Sequence, residues 1–354
     1  YTPLRQITEQ ALEQEAILFP VRDAKRYIEK TSRIGSRGHD FYTADNPPFG
    51  ATFTYYLKDG FESLTDQRIE VEKEAMEGDE EVAIPSFDEL RTEDEELDPA
   101  MVFTIRDTAG DVVRRVDGCA KKGIHRVTWD LRYPSAKPTD ISGKKPSRWG
   151  MPSIGPLVVP GTYSVSMAKK IDGVMTEIAG PVSFEVVDLA LAALPGAPPA
   201  EALAFELQVA ELQRAVGGAV KVTKEIDDRL AHLRQAILDT PDANADHLAK
   251  ARAFQAELDD IEIALVGDPS KSERNVFTPP SVNDRVNRIV SGLWTTTQGP
   301  TNTQRDNYTW AGEAFTTELG RLDALVTELE TFEAELETAG APWTPGRVPT
   351  WQPE

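Results

Sequence analysis

Residues 101–115 read MVFTIRDTAGDVVRR, residues 123–132 read GIHRVTWDLR and residues 155–167 read GPLVVPGTYSVSM. Apolar and polar side chains alternate within these stretches, which is the pattern of strands that bury one face. The predicted inward-facing residues are Met101, Phe103 and Ile105, then Val127, Trp129 and Leu131, and finally Tyr163, Val165 and Met167. The sequence therefore predicts a small β-sandwich with Trp129 and Tyr163 in its core.

The sandwich is expected to occupy residues 46–190, with a hairpin turn at Asp107–Gly110 where glycine can adopt a positive φ. Its start is indicated by the β-branched and aromatic run Thr52–Leu57. Residues 1–45 are interpreted as a connector that holds one short helix and a first strand, and the protein is expected to extend upstream of Tyr1.

An acidic insertion interrupts the predicted sandwich at residues 61–98. Within it, residues 70–98 hold 14 acidic side chains against Lys73 and Arg91. Residues 63–81 have the composition of a helix, and Ser86 with Glu89 forms a capping box for a second helix. Calcium binding is the alternative, but the acids lack the spacing of a calcium loop, which favours a solvated helical excursion.

A change of composition at residues 194–199, which read LPGAPP, predicts a domain boundary. Beyond it, apolar residues recur every three or four positions in four separate segments. The four seams run from Phe205 to Ile237, from His247 to Leu265, from Val282 to Leu293 and from Phe315 to Leu329. Residues 198–340 are therefore predicted to form an antiparallel four-helix bundle. The fold class is α+β and multidomain.

The C-terminal residues 341–354 are predicted to be extended because prolines recur along them. They also contain Trp343 and Trp351. Two tryptophans are too apolar for a free tail, so this segment is expected to lie against the body of the protein.

The overall charge is the outlying feature of the composition. Asp and Glu number 59 against 38 Lys and Arg, which gives a formal net charge of −21. Such a charge repels phosphate, so nucleic acid is excluded as a partner of the whole chain. No apolar run approaches the roughly 18 residues of a membrane span. Cys119 is the only cysteine, so no disulfide can form within the chain.

One short motif resembles a calcium-binding loop, since Asp242, Asn244 and Asp246 match the first half of an EF-hand. The match fails where glycine and the bidentate acid belong, because His247 and Ala253 stand there. We interpret the segment as the start of a helix at Pro241 and Asp242, with acids in its first turn.

No arrangement of side chains predicts catalysis. The four histidines lack metal-ligand spacing and are interpreted as surface residues: they are His39, His125, His232 and His247. Cys119 has no evident base beside it, and no nucleophile elbow is present. Trp129 is assigned to the core and Asp130 to a hydrogen bond with a neighbouring turn. We predict no catalytic, cofactor or metal residues.

Several motifs carry a resemblance to known families. Residues 103–115, 129–130 and 159–163 resemble the immunoglobulin-like domain of the flagellar hook-capping class. Residues 18–24, 46–51 and 55–58 look like the C-terminal region of bacterial secreted sortilin-type, BNR-repeat β-propeller proteins, which are often labelled glycosyl hydrolases. The resemblance implies that Tyr1–Gln6 leaves the last propeller blade. The Asp-box repeats of that family do not occur in these residues, so no catalytic residue is carried over.

The predicted function is a non-catalytic packing and interaction module of a secreted β-propeller protein. Its expected partners are the upstream propeller and other extracellular or cell-envelope proteins, and its expected location is extracellular or periplasmic. Two alternatives stay open. The segment could form one wall of a glycosidase or peptidase cleft whose active site lies in the propeller, or it could mediate oligomerisation through the helical bundle.

Overall fold

The structure is a computed structural model that describes residues 3–29, 44, 46–78, 81–143, 153–189, 196–349 and 351. The chain is mixed α and β and divides into two compact units. One unit comprises residues 1–134 and 157–195, which we call the sheet unit. The other comprises residues 135–156 and 196–354, which we call the helical unit.

Among the residues that the structure describes, the sheet unit contains eight strands in two sheets. The strands are β1 (Ala16–Leu18), β2 (Ala24–Arg26), β3 (Ala51–Leu57), β4 (Ala100–Arg106), β5 (Val112–Gly118), β6 (Gly123–Trp129), β7 (Gly161–Ile171) and β8 (Val174–Asp188). One sheet has the order β1-β3-β6 and the other the order β2-β8-β7-β4-β5. Neighbours are antiparallel except β2 and β8, which are parallel.

Both sheets contribute to a single hydrophobic core. Trp129 is 1% exposed and its ring centroid lies 5.7 Å from that of Tyr163, so the predicted burial of both residues is confirmed. The hairpin between β4 and β5 is confirmed as well. The Asp107 carboxylate accepts hydrogen bonds from the Ala109 and Asp111 N–H groups, and Gly110 has a φ of +88°.

The expected alternation is wrong for β4. Val102 and Thr104 are buried together with Met101, Phe103 and Ile105, so both faces of this strand are covered. Strands buried on both faces lose the alternation of polar and apolar environments, because neither face meets water.

The connector assigned to residues 1–45 also needs correction. A short helix, α1 (Glu9–Leu12), does occur there, but β1 pairs with β3 and β2 pairs with β8. Phe19 between them is fully buried and its N–H donates to the Thr54 carbonyl. Residues 16–26 therefore complete the two sheets. Residues 35–39, which include His39, lie outside the described residues.

The insertion between β3 and β4 is helical, as the sequence predicts. It holds α2 (Leu64–Glu77) and α3 (Phe87–Glu95). The Ser63 side chain caps α2 by accepting from the Asp66 N–H. The capping box of Ser86 and Glu89 at the start of α3 is confirmed.

The described part of the helical unit contains five helices. They are α4 (Pro199–Asp239), α5 (Ala245–Val266), the short α6 (Pro269–Ser272), α7 (Val282–Leu293) and α8 (Asn302–Thr338). The four longer helices share one core. The predicted seams need small corrections. Leu212 of the first seam is only partly buried and Leu319 of the fourth is exposed, whereas Gln213, Leu325 and Phe332 are buried. A helix turns every 3.6 residues, so a stripe assigned at 3.5 drifts off the buried face over a long helix.

Residues 135–156 belong to the helical unit rather than to the predicted sandwich of residues 46–190. Ala136 and Ile154 pack against the core of the helices. Pro138 lies against Gly217, where an added Cβ would come within 2.9 Å of the proline ring. Gly217 thus serves a close contact and does not interrupt α4.

The C-terminal segment contacts the helices, but not through its tryptophans. Arg347 Nη1 donates to the Glu333 carbonyl and to the Glu337 carboxylate, at 3.0 Å each. Thr344 is buried, whereas Trp343 and Trp351 are exposed. Residues 344–347 therefore lie against the helices, as expected for this segment, although both tryptophans are exposed.

Candidate functional site

The motif that resembles half an EF-hand is a helix cap. The Asn244 side chain accepts from the Asp246 and His247 N–H groups, and His247 Nδ1 accepts from the Asn244 N–H. The helix begins at Ala245, three residues after the predicted Asp242. Within the described ranges, no group of three or more His, Cys, Asp or Glu side chains could hold a metal ion.

Three of the four histidines and the cysteine lie within the described residues, and both His125 and Cys119 contact Lys121. His125 Nε2 lies 2.6 Å from the Lys121 carbonyl oxygen, and His232 Nδ1 lies 2.7 Å from that of Asp228. Cys119 is exposed, and its carbonyl accepts from the Tyr55 hydroxyl at 2.7 Å. Burial raises the pKa of Tyr55 to about 12, so this hydroxyl remains a donor at neutral pH.

Trp129 and Asp130 have the structural roles that the sequence suggests. Trp129 Nε1 donates to the Arg132 carbonyl at 3.0 Å, and the Asp130 carboxylate accepts from the Arg132 N–H at 3.2 Å. Both bonds close the turn that follows β6.

The most unusual surface belongs to the insertion, whose two helices are tied together by Arg68. Arg68 Nε donates to Glu93 Oε1 at 2.8 Å and Nη2 donates to Glu93 Oε2 at 3.0 Å. The remaining Nη1 donates to Glu72 at 2.7 Å. A second link lies about one turn away at the same end of the helix pair, where the Leu64 N–H donates to the Glu96 carboxylate at 2.7 Å.

These contacts change the acid strengths of two carboxyl groups. The Arg68 hydrogen bonds hold the pKa of Glu93 below its ordinary value. The Ser86 N–H and hydroxyl lower the pKa of Glu89 in the same direction. Both carboxylates are therefore charged at neutral pH and engaged within the insertion.

The insertion lacks a buried face. None of the described residues of α2 or α3 is buried. Val71 is 66% exposed, Ile84 94% and Phe87 82%. The full set of large exposed apolar residues in the insertion is Leu64, Ile69, Val71, Met76, Ile84, Phe87 and Leu97. This concentration of exposed apolar side chains in one short segment is typical of an interaction surface.

A groove of about 940 Å³ lies between α2, the connection to α3 and α3 itself. Its apolar lining comes from Leu64, Val71, Ala75, Ala83, Ile84 and Pro85. Its polar lining comes from Gln67, Arg68, Glu72, Glu81, Asp88, Glu89, Thr92 and Glu93. We call this feature the insertion groove.

The turn of the β7–β8 hairpin lies close to the end of the insertion. A Cβ on Gly173, at the tip of that turn, would begin 3.6 Å from Leu97 Cδ1. Val174 and Met175 after the turn are also exposed. The insertion and this hairpin therefore occupy the same end of the sheet unit.

A second concave site of about 730 Å³ lies in the helical unit beside Arg229 and the C-terminal segment. Arg229 forms two hydrogen bonds with Glu333, at 3.1 and 2.8 Å. The Glu333 carboxylate is almost fully buried. The pair fastens α4 to α8, and this is a structural role.

The sequence predicted the two helices of the insertion but not their surface. Acidic residues dominate the segment, and the apolar residues Leu64, Val71 and Ala75 of α2, which do share one face, are too few to mark a stripe. The signal that was available is compositional, because solvated acidic segments are usually poor in large apolar residues.

Comparison of the chain with protein-family models, with curated proteins and with solved structures gives no significant match. Among the helices that the structure describes, none is both long and apolar enough to cross a membrane.

Proposed function

We propose that this chain is a non-catalytic interaction module whose binding surface is the helical insertion. The observation that carries the proposal is that α2 and α3 bury no residue, while the insertion as a whole exposes seven large apolar side chains. A partner that covers these side chains would give the two helices the buried face that they lack.

The physical argument concerns helix stability. Helices of 14 and 9 residues are marginal in water on their own, and helices in proteins gain most of their stability by packing an apolar face. Residues 61–98 also hold 16 acidic side chains and only 3 basic ones, so the acidic side chains repel one another. Arg68 and the two serine caps offset part of that cost, and a bound partner would supply the rest.

The proposed architecture of the sheet unit is an immunoglobulin-like sandwich. Support comes from the two sheets around one core, and from the Tyr163 hydroxyl, which donates to the Val159 carbonyl at 2.8 Å. A tyrosine bonded to the backbone a few residues upstream is a recurrent corner of such sandwiches. The buried tryptophan differs from the antibody pattern, since Trp129 lies on β6, and no disulfide accompanies it. For the helical unit we propose a four-helix bundle of α4, α5, α7 and α8, supported by their common core.

In this architecture the insertion lies at the end of the sandwich that binds ligands in variable immunoglobulin domains. If β3 and β4 correspond to strands B and C of the immunoglobulin fold, the insertion replaces the B–C loop. In variable immunoglobulin domains that loop and the last hairpin lie at the end that binds antigen. The proximity of Leu97 to Gly173 supports the same grouping here.

The resemblance to secreted BNR-repeat proteins makes a β-propeller of a longer bacterial protein the first partner to test. In that proposal the module acts outside the cytoplasm or in the periplasm, and any hydrolytic activity belongs to the propeller.

Site-specific photo-crosslinking tests the interaction role. A photoreactive phenylalanine analogue replaces Phe87 in the insertion, or Phe277 in the helical unit as the matched control, in cells that make the full-length protein. Phe87 is 82% and Phe277 90% exposed, so accessibility is comparable. We expect a discrete adduct from position 87 only. Identical adduct patterns from both positions would contradict the proposal.

A further inference from the structure

We infer that the insertion groove receives an amphipathic helix of a partner protein that carries lysine or arginine beside its apolar stripe. This inference rests on the interaction role proposed above and names the chemistry of the partner. It follows from the shape of the groove, the position of its apolar residues and the sign of its charge.

The shape favours a helix as the ligand. The insertion groove runs between two helices, and its apolar lining comes from α2 and from the connection, notably Leu64, Val71 and Ile84. The residues that line it from α3 are polar. A groove between helices is the usual receptor for an amphipathic helix, which places its apolar stripe on the floor. The 14 residues of α2 span about 21 Å at 1.5 Å per residue, so a partner helix of about four turns would fill the groove.

The charge selects the flanks of that helix. Arg68, the one basic residue of the lining, is already bonded to Glu72 and Glu93. Glu81, Asp88 and Glu89 add further negative charge to the rim. The insertion as a whole has 16 acidic and 3 basic side chains, so it accounts for more than half of the net charge of −21.

Complementarity therefore requires a basic partner. Lysine and arginine beside an apolar stripe would face the acidic rim when the stripe lies on the floor, and opposite charge would also speed the encounter. A second copy of this chain is disfavoured as the occupant, because two molecules of charge −21 repel each other.

The probe is an 18-residue amidated peptide with leucine at helical i, i+3, i+4 and i+7 spacing and lysine at most other positions. Its binding to the complete chain is followed by fluorescence anisotropy. A peptide of identical composition with the spacing scrambled tests for the stripe, and a peptide with glutamate in place of lysine tests for charge. We expect saturable binding of the first peptide, about tenfold weaker binding of the scrambled one and none of the acidic one.

Two double variants localise the binding. Val71→Ser with Ile84→Ser removes apolar surface from the insertion groove, and Phe277→Ser with Val348→Ser removes comparably exposed surface from the helical unit. All four side chains are exposed, so both variants should fold. We expect affinity to fall about tenfold in the groove variant and to stay unchanged in the control.

Equal affinity of the groove variant and the unaltered chain would overturn the inference, as would equal binding of the ordered and scrambled peptides. A dimer in light scattering that the groove variant dissociates would overturn it by showing that a second copy is the occupant. A specific adduct at position 87 without peptide binding would leave the interaction role standing and reject only the basic helix.

Discussion

Two helical regions of this chain differ in what their helices bury. In the helical unit, α4 carries buried residues along its whole length, from Ala202 to Ile237. In the insertion, α2 and α3 carry none. The first region derives its order from an apolar core, and the second from two serine caps and the Arg68 network. The comparison shows that helical composition and helical packing are separate properties.

The largest contrast is expected from an aspartate placed in each region. Leu230 is fully buried in α4, so Leu230→Asp puts a charge into the core and should unfold the helical unit. Val71→Asp in α2 should change the free energy of unfolding by less than about 0.5 kcal/mol. Circular dichroism during urea unfolding measures both. Light scattering should show no change of oligomeric state with Leu230→Asp, and a folded monomer released from a dimer would contradict the buried seam.

The sheet unit offers a second contrast, between its core and its insertion. Trp129→Ala should cost about 3–5 kcal/mol of stability, because it leaves a large cavity between the sheets. Replacing residues 63–96 by a short Gly-Ser linker should cost about 1 kcal/mol or less, since the insertion contributes no buried residue. Amide NMR signals from β4 during urea unfolding report on both variants. Loss of the sheet unit upon deletion would show that the insertion is part of its core.

Ion pairs distinguish the two regions at a smaller scale. Arg229→Met leaves the buried Glu333 carboxylate without its partner and should cost about 3 kcal/mol. Arg68→Met breaks a more exposed pair and should lower the stability far less, because solvent screens such pairs. Thermal unfolding of both variants compares them. A double variant with methionine at 229 and 333 serves as the control and should regain most of the stability, because no charge is then buried alone.

The smallest expected effect is a change in the pKa of one carboxyl group. Arg68 lowers the pKa of Glu93. The pair therefore contributes its full share of folding stability above the ordinary glutamate pKa of about 4.3. That stability is lost as the pH falls through the lowered pKa. NMR titration of the side-chain carboxyl carbon should show that Arg68→Gln raises the pKa of Glu93. Glu89 is the internal control, since Ser86 lowers its pKa and Arg68 does not. An unchanged pKa of Glu93 in the Arg68→Gln variant would mean that Arg68 does not link the two helices.

Sequence periodicity predicted the elements that bury a regular stripe. The strands around Trp129 and Tyr163 and the four long helices are of this kind. It failed for β4, whose second face is also covered, and for residues 16–26, whose strands are only three residues long. It also failed for residues 135–156, because a segment without periodicity gives no sign of which core it joins. The insertion groove could not be predicted, since it depends on how Arg68 brings α2 and α3 together.

Hydrogen–deuterium exchange of the complete chain, alone and with the basic peptide, tests the central claim most directly. The account predicts that amides of α2 and α3 in the free chain exchange far faster than those of central α4, because opening them exposes no core. It also predicts that the peptide slows exchange within residues 64–95 and leaves α4 unchanged. Protection of α2 and α3 equal to that of α4 in the free chain would contradict the claim that these helices await a partner.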